Sequence, residues 1–277
     1  MSDDPDGADR EDGRNDEPSE DVLVKGFDNV VTSGAERLHR SASNVLVTGL
    51  FGGLEVGLGI MGYLAVLHQT NDHLLAGLAF GAGFIALMLA HSELFTENFL
   101  MPIAAVVAKQ GTLLQLAKLW GGTLVGNLVG GWVFMWLLAQ GFPQWKPTMV
   151  EAATHYAHAP FSLQSVVLAV LAGSTITLMT RMQQGTDSHT AKIVASVIGG
   201  FLLAGLQLFH SILDSLLIFG GIHVGGPVTY LQWLGWFAYT LVGNVIGGVV
   251  LVTALRLVRT RHLVADRRRD PVPAARE

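Results

Sequence analysis

Residues 123–131 read TLVGNLVGG and residues 240–248 read TLVGNVIGG, identical at seven of nine positions and 117 residues apart. A match of that length within one chain marks a duplication. Around both copies charge is nearly absent, for residues 44–255 hold only 12 of Asp, Glu, Lys and Arg together. Apolar runs this long match spans of about 20 residues across a bilayer rather than helices of a soluble core. Six spans can be drawn, over residues 44–67, 73–101, 113–138, 161–179, 193–219 and 228–255. The repeated unit is therefore three spans. An odd number per unit makes the second copy enter the membrane from the opposite face, an inverted-topology duplication of the kind that builds channels and transporters. Alone, the spacings Gly126/Gly130 and Gly243/Gly247 indicate close helix packing. The recurrence of the whole motif, with Asn127 and Asn244 inside it, makes them architecture. A second echo sets His91-Ser92-Glu93-Leu94 against His210-Ser211-Ile212-Leu213 at a spacing of 119.

The 277 residues are 50% hydrophobic and 14% charged, against about 25% charged in soluble domains. The net charge of -5 comes from one end, because 10 of the 22 acidic residues lie in residues 1–21. That segment reads as a disordered acidic cytoplasmic tail. Residues 22–43, with Val22, Val30, Val31, Ala35 and Leu38 among polar neighbours, read as an amphipathic helix along the membrane surface. Residues 44–257 form the six-helix transport domain and residues 258–277 a basic cytoplasmic tail. With six spans both termini share one side, and that side then holds sixteen basic residues against Lys146 alone on the other. This is the positive-inside pattern of a multi-pass inner (plasma) membrane protein with cytoplasmic termini. The terminal arginines thus read as topology determinants with a capacity for anionic lipid, and no nucleic acid is expected as a partner. Zero Cys excludes disulfides and thiolate chemistry.

Polar side chains that persist in hydrocarbon face a bundle interior or a water-filled path. Here His91, Glu93, Thr96, Glu97 and Asn98 interrupt the second span, and His210, Ser211 and Asp214 interrupt the fifth. Paired interruptions in corresponding halves point to a transport site. The Gly-rich run at residues 220–226 reads as an outer loop. No His-Glu-x-x-His, no P-loop and no Gly-x-Gly-x-x-Gly opening a helix after a strand occurs, so an enzyme is not expected, nor a cofactor. A metal site is not expected either, since the two histidines belong to different halves.

These residues carry a resemblance. Ala90-His91-Ser92-Glu93-Leu94-Phe95-Thr96-Glu97-Asn98, with Gly126-Asn127, Phe209-His210-Ser211 and Gly243-Asn244, is similar to the formate/nitrite transporter family over residues 44–259. The resemblance implies an all-α, aquaporin-like bundle of six transmembrane helices with broken second and fifth helices, assembled as a homopentamer. It implies that His210 is the central pore histidine and that Leu94, Phe95 and Thr96 form one constriction beside it. Phe80, Phe84 and Leu203 fall near the family's hydrophobic slits. Phe209 and Asp214 replace the Glu and Asn common in the family, His91 adds an imidazole, and the family's lysine before the fourth span has only Tyr156 or His158 nearby. The function implied is passage of a small monovalent weak-acid anion, or its neutral acid, together with a proton near His210. Ser211 and Thr96 would donate to the anion, and Glu93, Asp214 and His91 would set the local charge. A channel for small neutral solutes or cations, and a membrane protein without transport, stay open beside it.

Overall fold

The computed structural model describes residues 17–269. Most of the expected acidic tail, residues 1–16, and the end of the basic tail, residues 270–277, lie outside the described residues. The chain is helical: α1 Glu17–His39, α2 Ala42–Thr70, α3 His73–Leu89, α4 Met101–Val107, α5 Leu113–Gly141, α6 Lys146–Ala157, α7 Leu163–Gln184, α8 His189–Gly200, α9 Leu213–His223, α10 Tyr230–Val245, α11 Leu255–Arg259 and α12 Arg261–Arg269. Helices α2, α5 and α7, and the continuous run Tyr230–Arg259, are long and apolar enough to cross a membrane. Two spans are broken instead. The second is α3, a non-helical step, a 3-10 turn at Phe95–Phe99 and α4; the fifth is α8 with a π-helical turn at Phe201–Gly205, a step, and α9.

The third span of each half starts the same way. Thr112 and Gln115 form a capping box at α5, and Thr229 and Gln232 form one at α10. Each threonine hydroxyl accepts from the backbone N–H three residues on, and each glutamine answers at the threonine N–H, which satisfies donors that a helix start leaves open. The Gly-x-x-x-Gly pairs then let these helices approach their neighbours. A Cβ on Gly130 would lie 2.2 Å from the Leu50 carbonyl oxygen of α2, and one on Gly247 2.0 Å from that of Val170 in α7. Only glycine fits at such a distance.

The two breaks are built alike. His91 (φ 56°) and Gln207 (φ 51°) turn the chain through the left-handed region, followed by Ser92 N–H to Leu87 O at 3.2 Å and Leu208 N–H to Leu203 O at 3.0 Å. The register between the breaks is therefore 116 residues, not the 119 of the letter match. His91 answers Gln207, and His210 answers Leu94. The similar spelling is a coincidence of composition, while the backbone register follows the helices that flank it.

Three further features differ from the sequence reading. Gly220 and Gly221 of the expected loop lie inside α9, since that helix runs to His223. Helix α6 packs on α9 between the third and fourth spans. Helix α1 includes residues 17–21 of the expected tail, and its apolar face meets protein. Phe27, Val30 and Val31 are buried with Leu100, Met101 and Val264 of α12, while Ala35 and Leu38 are buried with Ala105 and Leu119.

Candidate functional site

The two motif asparagines hold the breaks. Asn127 Nδ2 donates to Gly49 O and Glu93 O at 2.8 Å each, and its Oδ1 accepts from Phe95 N–H at 2.8 Å. Asn244 Nδ2 donates to Ala169 O and Phe209 O at 2.8 Å each, and its Oδ1 accepts from Ser211 N–H at 2.8 Å. Backbone that leaves a helix inside an apolar bundle loses its own partners, and each asparagine returns one donor and one acceptor. Gly126, Gly130, Gly243 and Gly247 bring the helices close enough for this reach.

The breaks meet at Thr96 and His210. Thr96 Oγ1 lies 2.9 Å from His210 Nε2, both side chains fully buried. Leu213 N–H donates to His210 Nδ1 at 3.0 Å. Nδ1 is thus the acceptor nitrogen, so in neutral His210 the proton sits on Nε2 and points to the Thr96 hydroxyl oxygen. Asp214, in the first turn of α9, accepts from His210 N–H through Oδ2 at 2.7 Å. Its Oδ1 has no hydrogen-bond partner, nor has the buried Ser211 hydroxyl. The Tyr156 hydroxyl of α6 faces the Asp214 carboxylate, so of the two residues nearest the place of the family lysine it is Tyr156 that lies beside these groups. Ser215 Oγ donates to Ser211 O at 2.5 Å and accepts from Trp233 Nε1 at 2.8 Å.

Glu93 takes a different place from the one its spelling suggested. Its carboxylate points toward the side of the chain termini, where Arg40 Nη1 lies 2.5 Å and Arg37 Nε 3.7 Å from Oε1. Arg37 also donates to Asn98 Oδ1 at 2.9 Å. Arg37, in the last turn of α1, and Arg40, just after it, are site residues that the sequence reading did not single out; the signal available was a break rich in carboxyl and amide groups with no Lys or Arg in the same span to match. They line a cavity of about 200 Å³ with His91, Lys192, Glu36 and Glu97. His91 is exposed there, on the side of the chain termini, and has no hydrogen bond to His210. Ser92 Oγ donates to Glu55 Oε1 at 2.8 Å, which adds a carboxylate from α2.

The apolar members are all buried: Leu94, Phe95, Phe80, Phe84 and Leu203 belong to one core cluster with Tyr156 and Phe209. Phe95 packs edge-on to Phe99 and Trp120 at 5.1 and 5.8 Å between centroids, so its ring anchors the loop. Phe80 and Phe84 form an edge-to-face pair at 5.0 Å. On the far side of the bundle Phe209 stands against Tyr156, His155 and Trp236. Burial, then the nearby His73, pulls the His155 imidazole below its ordinary value, with Glu151 opposing. Tyr63 OH and His73 Nδ1 are 2.8 Å apart on the same side.

Among the described residues no three His, Asp or Glu side chains converge as metal ligands. The sequence profile described as "Formate/nitrite transporter" matches residues 24–258. The formate channel BtFdhC of Bacillus thuringiensis is 24% identical over 235 residues, covering 80% of this chain and 89% of that protein. A solved structure described as "FNT family ion channel" superposes with a TM-score of 0.78 at 22% identity, covering 84% of this chain and 98% of that one. A second, described as "Pentameric formate channel with formate bound", gives 0.67 at 20% identity over 79% of this chain and 98% of that one. With its bundle of broken and unbroken spans and a profile match over most of its length, the chain belongs to the formate/nitrite transporter family, whose members are membrane transporters rather than enzymes.

Proposed function

We propose that this protein is a channel for small monovalent weak-acid anions of the formate or nitrite class, which cross together with a proton at His210. The observation that carries this reading is the Thr96 Oγ1 to His210 Nε2 contact of 2.9 Å, buried where the two breaks meet. A bare anion entering low-dielectric surroundings meets a Born penalty of order tens of kcal/mol, whereas the neutral acid does not. An imidazole has an ordinary pKa of about 6.5, which suits it to passing a proton near neutral pH. The Thr96 hydroxyl accepts from Nε2 and keeps its own proton for an arriving oxygen. Ser211 supplies a second hydroxyl with no protein partner, at the turn where an anion would meet α9. Phe80, Phe84 and Leu203 serve as the apolar walls that exclude the charged form. Glu93, held by Arg37 and Arg40, keeps its charge on the side of the termini, so Asp214 is the carboxylate left beside His210.

The basic residues on the side of the termini support an inner-membrane orientation with both ends cytoplasmic. A homopentamer is supported by the likeness to a pentameric channel. Flux is tested with the purified protein in liposomes holding a pH dye, after formate, nitrite, acetate or lactate is added outside. Acidification faster than in empty liposomes, lost in His210→Ala, is expected. If folded protein gave no signal with any acid, or His210→Ala matched wild type, the reading would be wrong.

A further inference from the structure

The geometry points to a binding site for one anionic phospholipid on the lipid-facing side of the cytoplasmic half, with its phosphate held by Arg181, Arg256 and Arg259. Arg181 ends α7, and Arg256 and Arg259 end the last span. All three stand at the same end of the bundle, where a headgroup layer lies if the termini are cytoplasmic. They stand close together, for all three line one small cavity beside Gly26 and Phe27 of α1. Among the described residues none of the three has a carboxylate partner: the ion pairs there join Lys25 to Asp187, Arg37 and Arg40 to Glu93, Arg267 to Asp28 and Arg269 to Asp266. Facing guanidiniums repel, and an anion of more than one oxygen is the group that relieves this, since each presents a planar fork of donors.

The surroundings select a lipid over a free ion. Below the arginines two grooves open sideways, one of about 670 Å³ and one of about 500 Å³. Arg256 and Leu178 line both, with Met182, Ile198 and Leu202 in the first and Leu251 and Leu255 in the second. Leu178, Leu251 and Leu255 are 43%, 49% and 64% exposed. Two apolar channels that share a cationic head match the shape of a diacyl lipid, and a soluble phosphate would leave them unused. Cationic side chains at the membrane surface attract anionic headgroups.

The test uses the full chain in detergent, with native mass spectrometry counting lipid adducts and a thermal melt reading protection. Dioleoylphosphatidylglycerol is compared with dioleoylphosphatidylcholine and with inorganic phosphate. Wild type is expected to retain phosphatidylglycerol and to be protected by it, and Arg181→Gln/Arg256→Gln to retain it about 30-fold more weakly. Arg269→Gln, an exposed arginine at the same end, should bind as wild type, which separates the site from general surface charge. Equal retention of phosphatidylcholine, or equal protection by inorganic phosphate, overturns the inference. So does wild-type binding by the double variant, or a double variant whose only defect is loss of the oligomer, which would make the groove a contact between copies.

Discussion

Asn127 and Asn244, 117 residues apart, make the same three hydrogen bonds to the two broken helices, each tying the break to a carbonyl of the first span of its half. The amide side chain supplies a donor pair and an acceptor in one plane, which neither Asp nor Leu can do. A duplicated sequence thus carries a duplicated solution to one problem, how to end a helix inside a membrane. The site at Thr96 and His210 exists because both solutions hold.

Replacing Asn244 by Leu strands the Ser211 N–H and the Phe209 carbonyl in an apolar bundle. Each buried group left unpaired costs about 1–3 kcal/mol. A clear drop in the melting temperature of the detergent-solubilised protein is expected, and a similar drop for Asn127→Leu. If either variant melted with wild type, the asparagine would not be holding the break.

Thr96→Val keeps the shape and removes the acceptor for His210 Nε2, whereas Thr96→Ser keeps the acceptor. Formate flux in liposomes is expected to fall about tenfold or more in the valine variant, the kinetic equivalent of one lost hydrogen bond to a group in transit. The serine variant should stay within about threefold of wild type. Loss in the serine variant with the valine variant near wild type would indicate packing at the threonine methyl instead.

Arg40→Ala leaves the buried Glu93 with Arg37 alone at 3.7 Å. Removing one partner of a buried pair destabilises by about 3–5 kcal/mol, while removing both is far milder. Arg40→Ala is therefore expected to melt well below wild type, and Arg40→Ala/Glu93→Gln to recover much of the loss. A double variant as unstable as the two single losses combined would show no coupling between them.

His155 supplies a pH dependence. Its imidazole is pulled below the ordinary value of about 6.5 by burial and by His73, against the pull of Glu151. The unfolded chain then binds the proton more readily than the folded one, so the stability contributed by neutral His155 is complete above about pH 6.5 and is lost as pH falls below it. Melting temperature should drop between pH 7 and 5 by more in wild type than in His155→Gln. Parallel curves for the two proteins would count against this assignment.

Six spans, two interruptions and the repeat were legible in the sequence, because the transfer of each residue into lipid is local and adds along the chain. The pairing of Thr96 with His210 was expected only from the family resemblance, since no spacing in the chain reveals a contact across 114 residues. Other placements needed the folded bundle. Glu93 reads as a partner of the pore histidine until α1 packs on α4 and brings Arg37 and Arg40 to it. The register of the breaks reads as 119 until the backbone turns at His91 and Gln207 set it at 116. Phe95 packs edge-on against Phe99 and Trp120, a contact that no spacing in the chain reveals. Thr112-x-x-Gln115 and Thr229-x-x-Gln232 were open signals of the same duplication. The sequence by itself determined where the chain crosses a membrane and where it breaks off, while only the tertiary structure decided which polar group meets which. Hydrophobic transfer depends on a residue's own surface, but a hydrogen bond or ion pair depends on what another helix delivers within about 3 Å of it.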